Sequence, residues 1–102
     1  MRVVALVADL MDRSRLSAAI PDVAFASDAA ACAGADVVVI DLARHADAVA
    51  AARAAAPGAR IVAFGPHVDD DLLTDARTAG ADVVLPRSRF FRDPSAALDR
   101  GI

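Results

Sequence analysis

The residues best placed to do chemistry in this chain are charged groups that each follow a short apolar run. Asp9 comes after residues 3–8, Asp41 after 37–40, and Arg87 after 81–86. Two carboxylates and a guanidinium brought together form an electrostatic cluster, in which Arg87 should pair with Asp41 or Asp9, because an acid pair alone repels itself. Asp41 is the most suggestive of the three. The stretch Ala35-Asp36-Val37-Val38-Val39-Ile40-Asp41-Leu42 is dominated by β-branched residues without polar alternation, the pattern of a strand buried on both faces of a parallel sheet. Such a strand delivers its last residue to the sheet edge where ligands bind. Asp41 is therefore either a reactive or ligand-binding group, or a carboxylate that pairs with Arg87 and caps the next loop.

Other chemistries lack their residues. There is no GxGxxG or Walker loop, no Ser–His–Asp set and no CxxC pair, and Ala8-Asp9-Leu10-Met11 is not a glycine-rich loop. His45 and His67 follow different strands and lack zinc-ligand spacing; His67 is expected to line the rim, exposed. Cys32 sits in an alanine-rich stretch with no His or Asp partner close by and reads as a packing residue. Residues 87–92, Arg-Ser-Arg-Phe-Phe-Arg, interleave basic and aromatic side chains as some nucleic-acid binders do. In a chain of net charge −3, packing of Phe90 or Phe91 over the sheet end is the better reading, so nucleic acid is not an expected partner.

The elements that must position these groups alternate regularly. Residues 3–7 form a first strand, 12–20 a brief helix with Asp12 as N-cap, and 22–27 a short edge strand. Ser27 or Asp28 caps a helix of about two turns through Ala33, which Gly34 ends in a left-handed conformation. After the third strand the longest helix runs over 44–56, stopped by Pro57-Gly58. Residues 60–64 are a fourth strand. Asp69, Asp70 and Asp71 then sit on the first turn of a helix, where the macrodipole favours acids; Leu72, Leu73, Ala76 and Ala79 form its inner face. A fifth strand spans 81–85, and Asp93-Pro94 opens a last short helix to about Arg100. Ala-Gly-Ala-Asp-Val-Val at 33–38 recurs at 79–84, one helix-to-strand turn used twice. Right-handed crossovers then give a five-stranded parallel sheet with helices on both faces, and order 2-1-3-4-5 suits five strands. That order converges Asp9, Asp41, Gly65 and Arg87 on one crevice.

At 102 residues the chain is expected to be a single domain with an aliphatic core: 57% of residues are hydrophobic and only four are aromatic, all Phe. It holds neither Lys nor Glu, so Arg and Asp carry its charge. A lone cysteine, no signal peptide and no apolar run of about 18 residues point to a cytoplasmic protein without a membrane partner.

With those positions in hand, the chain resembles the receiver domain of two-component response regulators. Residues 37–42 are similar to the segment carrying the family's phospho-accepting aspartate. Residues 61–69, continuing to Ala79-Gly80-Ala81-Asp82, are the closest match, and Leu85-Pro86-Arg87-Ser88 falls where the family has its strand-five Lys-Pro. The resemblance implies a flavodoxin-like fold with shortened first, second and last helices. It makes Asp41 the phospho-acceptor candidate, and Asp9, Asp41 and the Ala43 carbonyl the groups for Mg²⁺. The departures are Ala8 for one acid of the family's pair, Gly65 for its Thr or Ser, Arg87 for its Lys and Ser88 for the following Pro. A metal site with fewer acids binds more weakly, and Arg for Lys is not a neutral exchange. The leading expectation is a stand-alone, non-enzymatic, atypical receiver-like domain (a pseudo-receiver). It would act as a protein-interaction module, with weak or no phosphorylation and no cofactor beyond that Mg²⁺. Its partner would be a kinase or effector protein, or a second copy, through Pro66, His67, Arg87, Arg89, Phe90 and Phe91. The alternatives are a working phospho-acceptor at Asp41, and a small-molecule or nucleotide binder using the crevice.

Overall fold

The computed structural model describes residues 1–66 and 69–99. In chain order the elements are β1 (Val3–Leu6), α1 (Leu10–Ala19), β2 (Ala24–Phe25), a 3₁₀ turn (Ala29–Cys32), β3 (Val37–Asp41), α2 (Leu42–His45) and α3 (Ala48–Ala55). They continue with β4 (Arg60–Gly65), α4 (Asp70–Ala79), β5 (Val83–Pro86), α5 (Arg87–Phe90) and α6 (Pro94–Leu98). The strands form one sheet in the order β2-β1-β3-β4-β5, every pairing parallel.

Uninterrupted apolar strands suit this sheet because alternate side chains enter two separate cores. Val4, Leu6, Val38, Ile40, Ile61 and Ala63 point to one face, against Val49 and Ala52 of α3 and Leu73 and Ala76 of α4. Val3, Ala5, Val37, Val39, Val62 and Phe64 point to the other, against Leu16 of α1, Phe90 of α5 and Leu98 of α6. Buried alanines at 52 and 76 let α3 and α4 lie close to the sheet.

The repeated Ala-Gly-Ala-Asp has a physical meaning. Asp36 accepts the Arg2 amide at 2.7 Å while donating its own amide to the Arg2 carbonyl at 2.9 Å. Asp82 does the same with Ile61, at 2.7 and 2.9 Å. Each aspartate thus ties the start of its strand to the start of the neighbouring one. Each preceding glycine has positive φ, +78° at Gly34 and +124° at Gly80. Each also lies against an arginine that bonds the turn: Arg2 donates to the Ala33 carbonyl at 2.6 Å, and Arg53 to the Gly80 carbonyl at 2.9 Å.

Several boundaries differ from the sequence reading. The cap of α1 is Asp9, which accepts the Asp12 amide at 3.0 Å, so Asp12 lies inside the helix. The segment after Asp28 is a single 3₁₀ turn, although Asp28 does cap it. Helix formation after β3 begins at once, because Asp41 accepts the Ala43 amide at 3.0 Å; the expected long helix is split into α2 and α3. The second strand is shorter than expected and lies at the sheet edge. Residues 87–90 form a helical turn where no element was expected, ahead of α6, which Asp93 caps; Arg100 lies outside the described residues. Among the described residues no helix is long and apolar enough to cross a membrane.

Candidate functional site

At the carboxyl ends of β1, β3, β4 and β5 is a cavity of about 180 Å³ whose lining includes Asp9, Asp41, Gly65 and Arg87. Asp12 of α1 and Arg44 of α2 line it too, giving three carboxylates and two guanidiniums. Asp41 is 4% exposed, and one of its oxygens accepts the Ala43 amide. Asp9 holds its carboxyl below the usual carboxylate range, chiefly through the Asp12 amide, with Arg87 and Arg44 contributing charge.

Arg87 defines the electrostatics. The expected partners were Asp41 or Asp9; the partner found is Asp12, which the sequence reading places as the N-cap of α1. One guanidinium nitrogen donates to Asp12 Oδ2 at 2.7 Å and the other to Oδ1 in a closer contact, a two-pronged pair. Asp12 is 1% exposed. Its hydrogen bond pushes the Arg87 pKa up, with smaller contributions from Asp41 and Asp9. The pair forms because Asp9 starts the helix: an acid at the third helical position leans back over the strand ends, where Arg87 emerges from β5. The guanidinium also lies over aromatic rings, 4.9 Å from the Phe91 centroid and 5.8 Å from that of Phe64. The acid three residues after Asp9 was the available signal for Asp12. For Arg44 it was a position one turn beyond Asp41.

Gly65 ends β4 and is buried. A Cβ there would lie 3.3 Å from Leu42 Cβ and 3.3 Å from Leu73 Cδ2. A Thr or Ser there would therefore need the Leu42 and Leu73 side chains to give by a few tenths of an ångström. Ala43, whose carbonyl is the third ligand implied by the resemblance, lines the same cavity. Among the described residues no group of three His, Cys, Asp or Glu side chains is arranged to hold a metal ion.

The expected interaction face divides. Pro66, Arg87 and Arg89 are exposed and Phe91 is half-buried. Phe90 is fully buried, so it is core and not surface. It stacks on Phe64 with centroids 4.8 Å apart, and Phe91 meets Phe64 edge-on at 5.0 Å. His67 lies outside the described residues, and His45 is half-buried. Cys32 is buried, which raises its thiol pKa.

A five-stranded parallel sheet in this order, with acids at its carboxyl edge, is a flavodoxin-like architecture. No family model matches the chain, and no curated protein matches it. Solved structures do match. A response regulator protein from Burkholderia pseudomallei, solved with a phosphorylated aspartic acid, calcium ion and citrate, has a TM-score of 0.77 at 16% identity, covering 97% of this chain and 66% of its own. A response regulator from Thermotoga maritima has a TM-score of 0.72 at 14% identity, covering 95% of this chain and 96% of its own. RcsB from Salmonella enterica serovar Typhimurium, bound to promoter rprA in the presence of phosphomimetic BeF3⁻, has a TM-score of 0.63 at 17% identity, covering 96% of this chain and 66% of its own. The chain has the CheY-like receiver fold. It spans 66% of the length of the Burkholderia regulator.

Proposed function

We propose that residues 1–102 are one atypical receiver-like domain acting as a protein-interaction module, with aspartyl phosphorylation weak or absent. The observation that carries this reading is the Arg87–Asp12 pair. Arg87, the cation that directly follows β5, is held by a carboxylate on α1, so it is not free to follow a phosphoryl group on Asp41. Two further features agree. Leu42 and Leu73 lie 3.3 Å from where a Cβ at Gly65 would stand, so the position is packed for a residue without a side chain. Asp9 and Asp41 each already accept a backbone amide, beside two arginines that supply positive charge. This donor set suits a divalent cation poorly, because such an ion needs several free oxygens and little competing positive charge. The interaction face on this reading is Pro66, Arg87, Arg89 and the exposed edge of Phe91, for an effector protein or a second copy.

One observation favours a second reading: Asp41 shares a cavity with Asp9 and Arg87. There an Asp41 oxygen would attack the phosphorus of a donor and release the donor's leaving group. Incubation with a small phosphodonor and Mg²⁺, followed by intact-mass measurement, separates the two. At most a small fraction of the chain is expected to gain mass; a near-stoichiometric phosphoryl gain lost in Asp41→Asn supports the second reading and overturns the first.

A further inference from the structure

Most arginines of this chain are committed to internal partners. Arg2, Arg13, Arg53, Arg60 and Arg77 donate to main-chain carbonyls, and Arg87 is bound by Asp12. Arg15, Arg44, Arg89 and Arg92 have no carboxylate within ion-pair distance among the described residues. Two of these four, Arg15 and Arg92, open onto one cavity between α1 and α5, about 370 Å³ in volume, together with Arg87, Ser88 and Phe91. Among the described residues no acid lines it. Arg15 and Arg92 therefore meet at this cavity without a neutralising carboxylate, beside a third guanidinium, and a bound anion would relieve their repulsion.

The cavity is also organised. Phe91 is fixed edge-on against Phe64 and Phe90. The Arg15 guanidinium lies 5.6 Å from its ring centroid and that of Arg87 4.9 Å. Stacking limits the freedom of both side chains before any ligand arrives, which lowers the ordering cost of binding. Asp93, the acid beside Arg92 in sequence, is occupied in capping α6 through the Ala96 amide at 3.2 Å.

We propose that this cleft binds a small phosphate-bearing molecule, its phosphate held by the Arg15 and Arg92 guanidiniums and the Ser88 hydroxyl. Guanidinium forks match phosphate oxygens in geometry and charge. The cleft is shallow and open to solvent, with room for a phosphate group against its arginines rather than for a wholly enclosed ligand. A nucleic-acid backbone is a poorer fit, because it needs a basic stripe several phosphates long, and the chain is acidic overall. The site is independent of Asp41. It shares Arg87 with the strand-end crevice, so an occupant would bear on the Arg87–Asp12 pair from its outer side.

The test is titration of the whole chain with inorganic pyrophosphate, followed by NMR of arginine Nε–Hε groups and backbone amides, alongside a single-stranded oligonucleotide. Saturable shifts confined to Arg15, Arg87, Arg92 and the Ser88 and Phe91 amides are expected. Arg92→Gln, at an exposed position, should weaken binding by about tenfold, the scale of one lost charge-assisted contact; Arg77→Gln should leave it within about twofold. Equal shifts at Arg44 and Arg77, or unchanged binding in Arg92→Gln, would overturn the site. Oligonucleotide binding more than about tenfold tighter than pyrophosphate, through the same arginines, would overturn the small-ligand assignment in favour of a nucleic-acid backbone.

Discussion

Replacing Arg87 with methionine removes the guanidinium but keeps a long side chain over Phe64 and Phe91. The cost follows from the asymmetry of the pair: the Asp12 side chain is 2% exposed and that of Arg87 44%. Two unit charges about 4 Å apart attract by about 4 kcal/mol at an effective dielectric of about 20. Solvent on the Arg87 side screens this to about half, and the two-pronged hydrogen bond adds about 1 kcal/mol. Arg87→Met should therefore destabilise by about 2–3 kcal/mol, somewhat below the ~3–5 kcal/mol typical of breaking a fully buried pair. Asp12→Asn keeps a polar partner for Arg87, and the nearby Asp41 and Asp9 still favour its charge; its cost should be about 1–2 kcal/mol. In a urea-denaturation cycle at neutral pH the double variant should fall short of the sum by about 1–2 kcal/mol. The same cycle with Asp41→Asn in place of Asp12→Asn should show less than about half that coupling. Additive Asp12 and Arg87 effects, or stronger coupling to Asp41, would refute the assignment of Arg87 to Asp12.

Gly65→Thr places a Cβ 3.3 Å from both Leu42 and Leu73, so thermal melts should show a loss of about 1–3 kcal/mol from overpacking. Gly80→Ala forces φ near +124° on alanine and a Cβ 3.1 Å from Arg53 Cγ. It should cost about 2 kcal/mol, whereas Gly58→Ala, with nothing within 4 Å of its Cβ, should stay within about 0.5 kcal/mol of wild type. Burial pushes the Asp82 carboxyl up, but the Ile61 amide and the Arg53 guanidinium outweigh it, and its pKa falls below the ordinary 3.8. A depressed folded-state pKa gives stability that is present above the unfolded value and is lost as pH falls through the folded one. Urea midpoints of the native chain should therefore fall as acid is added below about pH 4, and Asp82→Asn should flatten that slope.

Sheet order was readable from the sequence because unbroken apolar runs demand two covered faces, and alternation of strands with helices leaves few topologies. The repeated turn was readable as a shape but not as a device. That Asp36 and Asp82 hold the starts of neighbouring strands depends on register, which no local pattern contains. Asp9 and Asp12 lie three residues apart and either could cap α1. The sequence reading takes Asp12 as the cap, whereas the structure caps α1 with Asp9 and buries Asp12 as the partner of Arg87. Phe90 and Phe91 differ only by a step along one helical turn, so packing against Phe64 alone decides which is core. The alanine run after Asp28 carries too little periodicity to separate a helix from a single 3₁₀ turn.

The central claim is that Arg87 stays with Asp12 whatever is offered to Asp41. Its most direct measurement is the ¹⁵N NMR spectrum of the Arg87 Nε–Hε group and the 87–92 amides, with and without a small phosphodonor and Mg²⁺. The expected result is that whatever shifts the donor and Mg²⁺ cause at these groups appear equally in Asp41→Asn under the same conditions, none of them depending on Asp41. Shifts at Arg87 that require both the donor and an intact Asp41 would contradict the claim.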